Sequence, residues 1–179
     1  MNAFENIIAQ YLEEEEYWVR QSVKVDISKA DKKEIGTPSM PRPEIDLVAL
    51  KVKENELFLI EAKSFLDSPG VKFSGVSGED DKDAKHYKLF TNNKYRNIVT
   101  KRLREEYLKK GLINEETKIN YALAAGNIHL NDEAKIINYF SEKGWKLVSP
   151  NEIKNKIKEL SRKGWEDNMV TITAKLITK

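Results

Sequence analysis

Apolar residues at the amino end of the chain recur with the spacing of a helix. The positions i, i+3, i+4, i+7 and i+8 are apolar, and they hold Phe4, Ile7, Ile8, Tyr11 and Leu12. This is one apolar face of an α-helix. Residues 17–27, rich in valine and aromatic side chains, predict a first strand. Residues 28–43 are polar with three prolines, which predicts a long loop.

A β-hairpin is predicted in the next part of the chain. Two β-rich runs, 44–52 and 56–63, are separated by the short polar turn Lys53, Glu54 and Asn55. The second run is apolar on both faces from Leu57 to Ile60. A strand of this kind is typically covered on both sides of its sheet.

The second half of the chain predicts alternating helices and strands. Glycines, an acidic cluster and capping signals mark the boundaries of these elements. They are a loop over 64–78, a helix over 79–110, a strand over 119–128, a helix from Asn131 or Asp132 to Gly144, a strand over 145–148, a helix from Ser149 to Gly164 and a last strand over 169–177.

This order of elements predicts an α/β fold, with helices packed on a mixed central sheet. We expect one domain over residues 1–179. Its core would occupy about 1–130, and a C-terminal extension of β-α-β type would occupy about 131–179.

The composition excludes several classes of protein. The 179 residues include no cysteine, so disulfides, thiolate zinc sites and cysteine nucleophiles are excluded. No apolar run approaches the roughly 20 residues that span a bilayer. The amino terminus lacks the basic start of a secretory signal. A cytoplasmic protein that does not associate with membranes is expected.

Charge is segregated along the chain although 31 Lys and Arg nearly cancel 29 Asp and Glu. Residues 85–110 hold nine basic and two acidic side chains, whereas residues 1–17 carry a balance of −5. A basic run of this kind is either a solvated helix face or a surface for phosphate groups. Tyr87, Phe90, Tyr95 and Tyr107 in the same segment are expected in the core, as are Trp18, Trp145 and Trp165.

Three charged residues interrupt the predicted hairpin where burial is expected. Asp46 lies early in the first strand, and Glu61 and Lys63 end the second. If Val52 pairs with Leu57, Asp46 lies opposite Lys63; if Val52 pairs with Asn55, Asp46 lies opposite Glu61. Both registers bring the three side chains together, since opposed Cβ atoms are about 5 Å apart.

Two converging carboxylates suit a hard cation such as Mg²⁺, which prefers oxygen ligands. Zinc is not expected, because His86 and His129 are distant in sequence and no H-x-x-x-H spacing occurs. There is also no glycine-rich phosphate loop. The alternative interpretation of Asp46, Glu61 and Lys63 is an ion-pair cluster at a strand end.

The residues Glu44-Ile45-Asp46 and Glu61-Ala62-Lys63, in this strand context, resemble the PD-(D/E)XK nuclease superfamily. The family has the restriction-endonuclease-like fold, whose core order α-β-β-β-α-β matches the predicted elements up to about residue 128. Ile45 stands where the family pattern has proline. The Gln-x-x-x-Tyr helix motif of one branch is absent, since the only glutamines are Gln10 and Gln21.

The resemblance implies roles for individual residues. Asp46 and Glu61 would be ligands of Mg²⁺, for which Mn²⁺ would substitute, and the Ala62 carbonyl would complete the shell. Lys63 would orient the attacking water and stabilise charge, since its ammonium form is favoured beside two carboxylates. Glu5 would contact the metal through water, and the alternative for Glu5 is a solvated helix glutamate.

The expected function is a Mg²⁺-dependent endonuclease acting on DNA. Phosphate contacts that do not read sequence would come from the basic helix: Lys88, Arg96, Lys101, Arg102 and Arg104. The alternatives are a catalytically inactive module of the same fold that binds nucleic acid or docks a partner, and an RNA nuclease. A homodimer is compatible with each of these.

Overall fold

The computed structural model describes residues 2–178 and contains a five-stranded mixed sheet flanked by helices. The strands are β1 Trp18–Lys24, β2 Glu44–Lys51, β3 Glu56–Lys63, β4 Lys118–Ala125 and β5 Lys146–Val148. They are ordered as numbered; β1, β2 and β3 pair antiparallel, whereas β4 and β5 continue the sheet parallel to β3. The prediction of an α/β fold with a mixed sheet is confirmed.

The helices described in residues 2–178 range from single turns to 17 residues. They are α1 Ala3–Glu14, α2 Lys29–Ile35, α3 Phe73–Ser77, α4 Asp81–Ala84, α5 Lys88–Thr91, α6 Asn93–Lys109, α7 Glu133–Lys143, α8 Pro150–Arg162 and α9 Met169–Thr178. Local signals were sufficient for α7, which ends at the left-handed Gly144, and for α8, which starts with the Ser149–Glu152 capping box.

The sheet is covered on both faces. On one face, Tyr95, Val99 and Leu103 of α6 share a core cluster with Leu57 and Leu59 of β3. On the other face, α1 packs against the sheet, with its residues Phe4, Ile8 and Leu12 in a cluster with Leu47 and Ile60. β3 is therefore buried on both sides, as the apolar run from Leu57 to Ile60 predicts. No helix within residues 2–178 has the length and apolar character needed to cross a membrane.

The predicted strand over 169–177 is wrong, because this segment is helix α9. Valine, isoleucine and threonine favour strands locally, but this propensity is weak against tertiary contacts. Asn168 accepts hydrogen bonds from the backbone N–H groups of Val170 and Thr171, and the helix buries Thr171 and Ala174. The part of the C-terminal extension predicted as β-α-β is consequently β5-α8-α9.

Three other predicted segments differ in the structure. The polar stretch 28–43 contains α2, which starts with a capping box between Ser28 and Asp31, and the predicted loop 64–78 contains α3. The helix predicted over 79–110 is divided into α4, α5 and α6. Asn92 ends the continuous run, since its side chain caps α6 through the Tyr95 N–H at 2.9 Å.

Most of the predicted aromatic core is confirmed. Tyr87, Phe90, Tyr95 and Tyr107 are buried, and Trp145 packs against Phe90 and Phe140. The prediction is wrong for two tryptophans, because Trp18 is 76% exposed and Trp165 is 90% exposed.

Candidate active site

The pairing of β2 with β3 brings Asp46 and Glu61 to the same end of the sheet. Leu47 pairs with Ile60 and Lys51 with Glu56. This is the register in which Val52 faces Asn55. Continued by one residue beyond the Leu47–Ile60 pair, it places Asp46 opposite Glu61. One Asp46 carboxylate oxygen accepts the backbone N–H of Ala62 at 2.8 Å. This hydrogen bond fixes the Asp46 carboxylate against β3 through one of its two oxygens.

The sequence of β2 departs from strict alternation at Asp46. Ile45 and Val48 belong to one core cluster, whereas Leu47 belongs to the cluster on the opposite face. Regular alternation would place Ile45 with Leu47. Asp46 is half-buried at this point of the strand, and its side chain accepts a hydrogen bond from the Ala62 N–H.

Lys63 and Glu61 form an ion pair at the end of β3. The Lys63 Nζ lies 2.6 Å from a Glu61 oxygen, and the two side chains are only 20% and 22% exposed. β4 holds this end of β3 in place, since Lys63 pairs with Ala125 and its carbonyl accepts the Gly126 N–H at 2.8 Å.

Gly126 permits a close approach that no other residue allows. A Cβ atom at this position would lie 2.4 Å from the Ser64 carbonyl oxygen and 3.1 Å from the Phe4 ring. Ser64 directly follows Lys63, and Phe4 directly precedes Glu5. The absence of a side chain at Gly126 therefore lets the chain segments that carry Lys63 and Glu5 come together.

Glu5 comes from α1 and lies close enough to Asp46 for the charge of Asp46 to act on its carboxyl. The residue is 9% exposed. Its burial, and then the negative charge of Asp46, raise the pKa of its carboxyl above the ordinary value. In the sequence, Glu5 lies at the margin of the apolar stripe of α1. Its low exposure excludes the alternative of a solvated helix glutamate.

The pKa values of Asp46 and Glu61 are raised as well. Burial is the main cause for both carboxyls, and the charge of Asp46 also acts on Glu61. The Ala62 N–H and Lys63 oppose the change at Asp46, and Lys63 opposes it at Glu61. In both cases burial outweighs these compensating groups, so the negative charge of the two carboxylates is only partly compensated within the chain.

Three residues that the sequence did not assign to the site border it. The charge of His86 acts on Glu61, and Glu61 in turn raises the pKa of Tyr87 and Tyr95, for which burial is the larger cause. The charge of Asp46 also raises the pKa of Tyr95. The two tyrosines were predicted as core, and no local motif indicates that their segment crosses the end of β3.

Three of the five predicted phosphate-binding residues make bonds within the protein. Arg96 donates to the Leu89 and Phe90 carbonyls, both at 3.1 Å, and lies over the Trp145 ring. Arg102 binds Asp31 and Glu105, and Arg104 donates to the carbonyls of Thr117 and Glu115. Lys88 and Lys101 are exposed. These bonds account for the three arginines structurally, and phosphate binding stays a prediction for all five.

The donor set fits an oxygen-binding cation. Asp46, Glu61 and the Ala62 carbonyl offer oxygen ligands, and the raised pKa values of Glu5, Asp46 and Glu61 indicate negative charge that the chain compensates only in part. Within residues 2–178, no group of three or more His, Asp or Glu side chains is gathered for a metal. A cation here would therefore take its protein ligands from the Asp46–Glu61 pair, and Mg²⁺ commonly keeps several waters.

No protein-family model matches the sequence, and no curated protein or solved structure matches the chain. The function is therefore argued from the chemistry of Asp46, Glu61, Lys63 and Glu5. The restriction-endonuclease-like fold remains part of that argument as a resemblance.

Proposed function

We propose that this protein is a Mg²⁺-dependent nuclease that hydrolyses DNA phosphodiester bonds. The observation that supports it most is a set of buried and half-buried carboxyls in which the charge of Asp46 acts on both Glu5 and Glu61, while Lys63 is paired with Glu61. Three ionised carboxylates and one ammonium leave a deficit of two positive charges. A divalent cation would remove this deficit, and burial of unpaired charge is otherwise strongly unfavourable.

Each residue has a defined part in this proposal. Asp46 and Glu61 would hold the cation together with the Ala62 carbonyl, and Glu5 would contact it through water. The Ala62 N–H fixes the Asp46 carboxylate before any cation binds. Such preorganisation lowers the cost of assembling a site.

When bound, Mg²⁺ would neutralise charge on the phosphodiester and lower the pKa of the attacking water. Lys63 would donate a hydrogen bond to the water or to a phosphate oxygen, since its Nζ carries three donors and Glu61 occupies one direction. The oxygen of one water would bond to phosphorus, the bond from phosphorus to the leaving oxygen would break, and the leaving oxygen would take up a proton to balance the one that the water loses.

Cleavage assays test the proposal directly. The purified protein with Mg²⁺ or Mn²⁺ is expected to cut at least one substrate in a panel of single-stranded, duplex, nicked, flap and four-way-junction DNA. Asp46→Asn and Lys63→Ala are expected to abolish cutting. Asp26→Asn is a matched control, because Asp26 is an exposed carboxylate paired with Arg42 at 2.8 Å.

Two results would contradict a nuclease. One is the absence of cutting across the panel with either metal, and the other is full activity in both site variants. Calorimetry then identifies the binding-module alternative. A binding module should show salt-dependent DNA affinity, and it should show no divalent-metal binding of the kind that Glu61→Ala would remove. Matched RNA and DNA substrates separate the RNA nuclease from the DNA nuclease.

A further inference from the structure

Strand β1 contains a residue with an irregular backbone. Ser22 lies within Trp18–Lys24 and has a φ of 50°, in the left-handed region. Residues of regular strands have φ values of about −120° to −140°. A residue other than glycine reaches positive φ only at a cost in free energy, and such strain is found most often at functional sites.

Ser22 lies opposite Asp46 in the sheet. On either side of this position the two strands are paired regularly: Gln21 with Leu47 and Val23 with Ile45. Each of the other six residues of β1 has a pairing partner in β2, and Ser22 is the exception within residues 18–24. The irregular backbone therefore faces the first carboxylate of the candidate active site.

Both strands change face at this position. In β1, Val19 packs against the core cluster on the α1 side of the sheet, whereas Val23 belongs to the cluster on the α6 side. In β2, Leu47 lies on the α1 side and Ile45 on the α6 side. Residues an even number of positions apart share a face in a regular strand. The two strands consequently turn over together.

The change of face brings the Asp46 carboxylate to β3. A side chain of a regular strand stands roughly perpendicular to its sheet. The Asp46 side chain instead reaches toward the neighbouring strand, where one of its oxygens accepts the backbone N–H of Ala62 at 2.8 Å. β3 itself alternates regularly, with Leu59 on the α6 side and Ile60 and Ala62 on the α1 side. The distortion is therefore confined to the two strands that carry Ser22 and Asp46.

We propose that Ser22 is a positioning residue for Asp46. Its left-handed backbone lets β1 follow the change of face in β2, and the Asp46 carboxylate is then held at the Ala62 N–H beside Glu61. The consequence for metal binding rests on the function proposed above. The effect of Ser22 on the bond between Asp46 and Ala62 does not, because that bond forms without a metal.

Amide hydrogen exchange in EDTA tests the effect on Asp46. Valine is strongly disfavoured at positive φ, so Ser22→Val should make β1 regular and withdraw Asp46 from Ala62. Exchange of the Ala62 amide is expected to become at least about tenfold faster relative to that of Ile60, as for loss of a hydrogen bond to a charged group. Ser22→Gly is expected to leave both rates unchanged, since glycine adopts positive φ freely.

Calorimetry with Mn²⁺ tests the consequence for the site. Ser22→Val is expected to weaken Mn²⁺ binding at least about tenfold, because the ligand would lose its fixed orientation. Ser22→Gly and Ser22→Asn are expected to bind as the wild type does, since both residues tolerate the left-handed region. Glu16→Val is the matched control. Glu16 is exposed and has a φ of 64° in the turn between α1 and β1, so this variant should lower the urea midpoint of unfolding without changing Mn²⁺ affinity.

The variants give distinct outcomes. The proposal is overturned if a folded Ser22→Val keeps the Ala62 amide protected, or if Glu16→Val exposes that amide equally. It is also overturned if Ser22→Gly exposes the Ala62 amide, because the serine hydroxyl rather than the backbone would then be required; this arm decides the question if Ser22→Val does not fold. Absence of Mn²⁺ binding by the wild type would contradict the proposed metal site, and hydrogen exchange would still decide the role of Ser22.

Discussion

The carboxylate of Asp31 and the carboxylates of the candidate active site are compensated by neighbouring groups to very different extents. Asp31, in the first turn of α2, accepts the Ser28 N–H at 2.7 Å and two Arg102 nitrogens at 2.9 and 3.0 Å. These bonds hold its pKa well below the usual value. Asp46 and Glu61 have fewer compensating groups, and their pKa values are raised.

The difference separates an architectural carboxylate from a chemically available one. Asp31 fastens α2 to α6, and its oxygens are occupied by donors of this chain. The cluster of Glu5, Asp46 and Glu61 instead concentrates charge that Lys63 balances only in part. Perturbed carboxyls of the second kind are typical of functional sites.

The largest expected effect is the loss of DNA cleavage when a carboxylate of the candidate active site is replaced. Glu61→Gln is expected to reduce DNA cleavage at least about a hundredfold, the size typical for loss of a group that stabilises transition-state charge. The variant is also expected to lose the calorimetric signal of Mn²⁺ binding. Asp31→Asn is the control and should retain both; equal losses in the two variants would remove the functional distinction.

The next largest effect is the loss of stability in Asp31→Asn. Asparagine keeps one oxygen but loses the charge-assisted pairing with Arg102, so the urea midpoint of unfolding should fall. Arg102→Lys should also lower the midpoint, since lysine cannot make the two-nitrogen contact. The double variant should lose less than the sum of the single variants. Strict additivity would indicate that the pair contributes nothing.

Glu5→Gln is expected to change stability in the opposite direction. It keeps the shape of the side chain and removes the repulsion with Asp46, so unfolding in EDTA should require about 0.5–2 kcal/mol more, as in other replacements of strained site residues. Urea unfolding followed by circular dichroism measures this difference. A loss of stability would instead mean that the Glu5 carboxylate is already compensated within the chain.

The smallest effect is a pH dependence of stability that has opposite signs at Glu5 and at Asp31. Because the folded pKa of Glu5 is raised, its ionised form opposes folding above that pKa, and this penalty disappears as the pH falls toward the unfolded value of about 4.3. The stability advantage of Glu5→Gln should therefore shrink from pH 8 to pH 4.

Asp31 follows the reverse rule. Its folded pKa is lowered, so its contribution is complete above the unfolded value of about 3.9 and is lost as the pH falls further. Wild type should exceed Asp31→Asn in stability from pH 5 to pH 8, and the difference should narrow below pH 4. Parallel urea titrations in EDTA at each pH distinguish the two curves, and curves of the same sign would refute the comparison.

The central part of the candidate site was predictable because it depends on a short hairpin. The turn at Lys53 to Asn55 restricts β2 and β3 to two registers, and both bring Asp46 near Glu61 and Lys63. Helices α7 and α8 were equally predictable, because residues close in sequence mark where each helix ends or begins. Predictions succeeded where the deciding contacts lie within a few residues along the chain.

The remaining features depend on distant contacts. Arg102 and Asp31 are separated by 71 positions in the sequence, so a charge count over 85–110 could not show that this arginine is paired. Nothing local indicates that Tyr87 and Tyr95 border Glu61. In α9, β-branched residues misled the prediction because packing on α8 and the Asn168 cap override their propensity.

Gly126 has a genetic consequence. Every amino-acid replacement at this codon introduces a Cβ atom 2.4 Å from the Ser64 carbonyl oxygen, and backbone atoms have little room to yield. A selection for inactive alleles after random mutagenesis should therefore recover this codon together with those for Asp46, Glu61 and Lys63. The position would score as essential in such a screen although it carries no functional group.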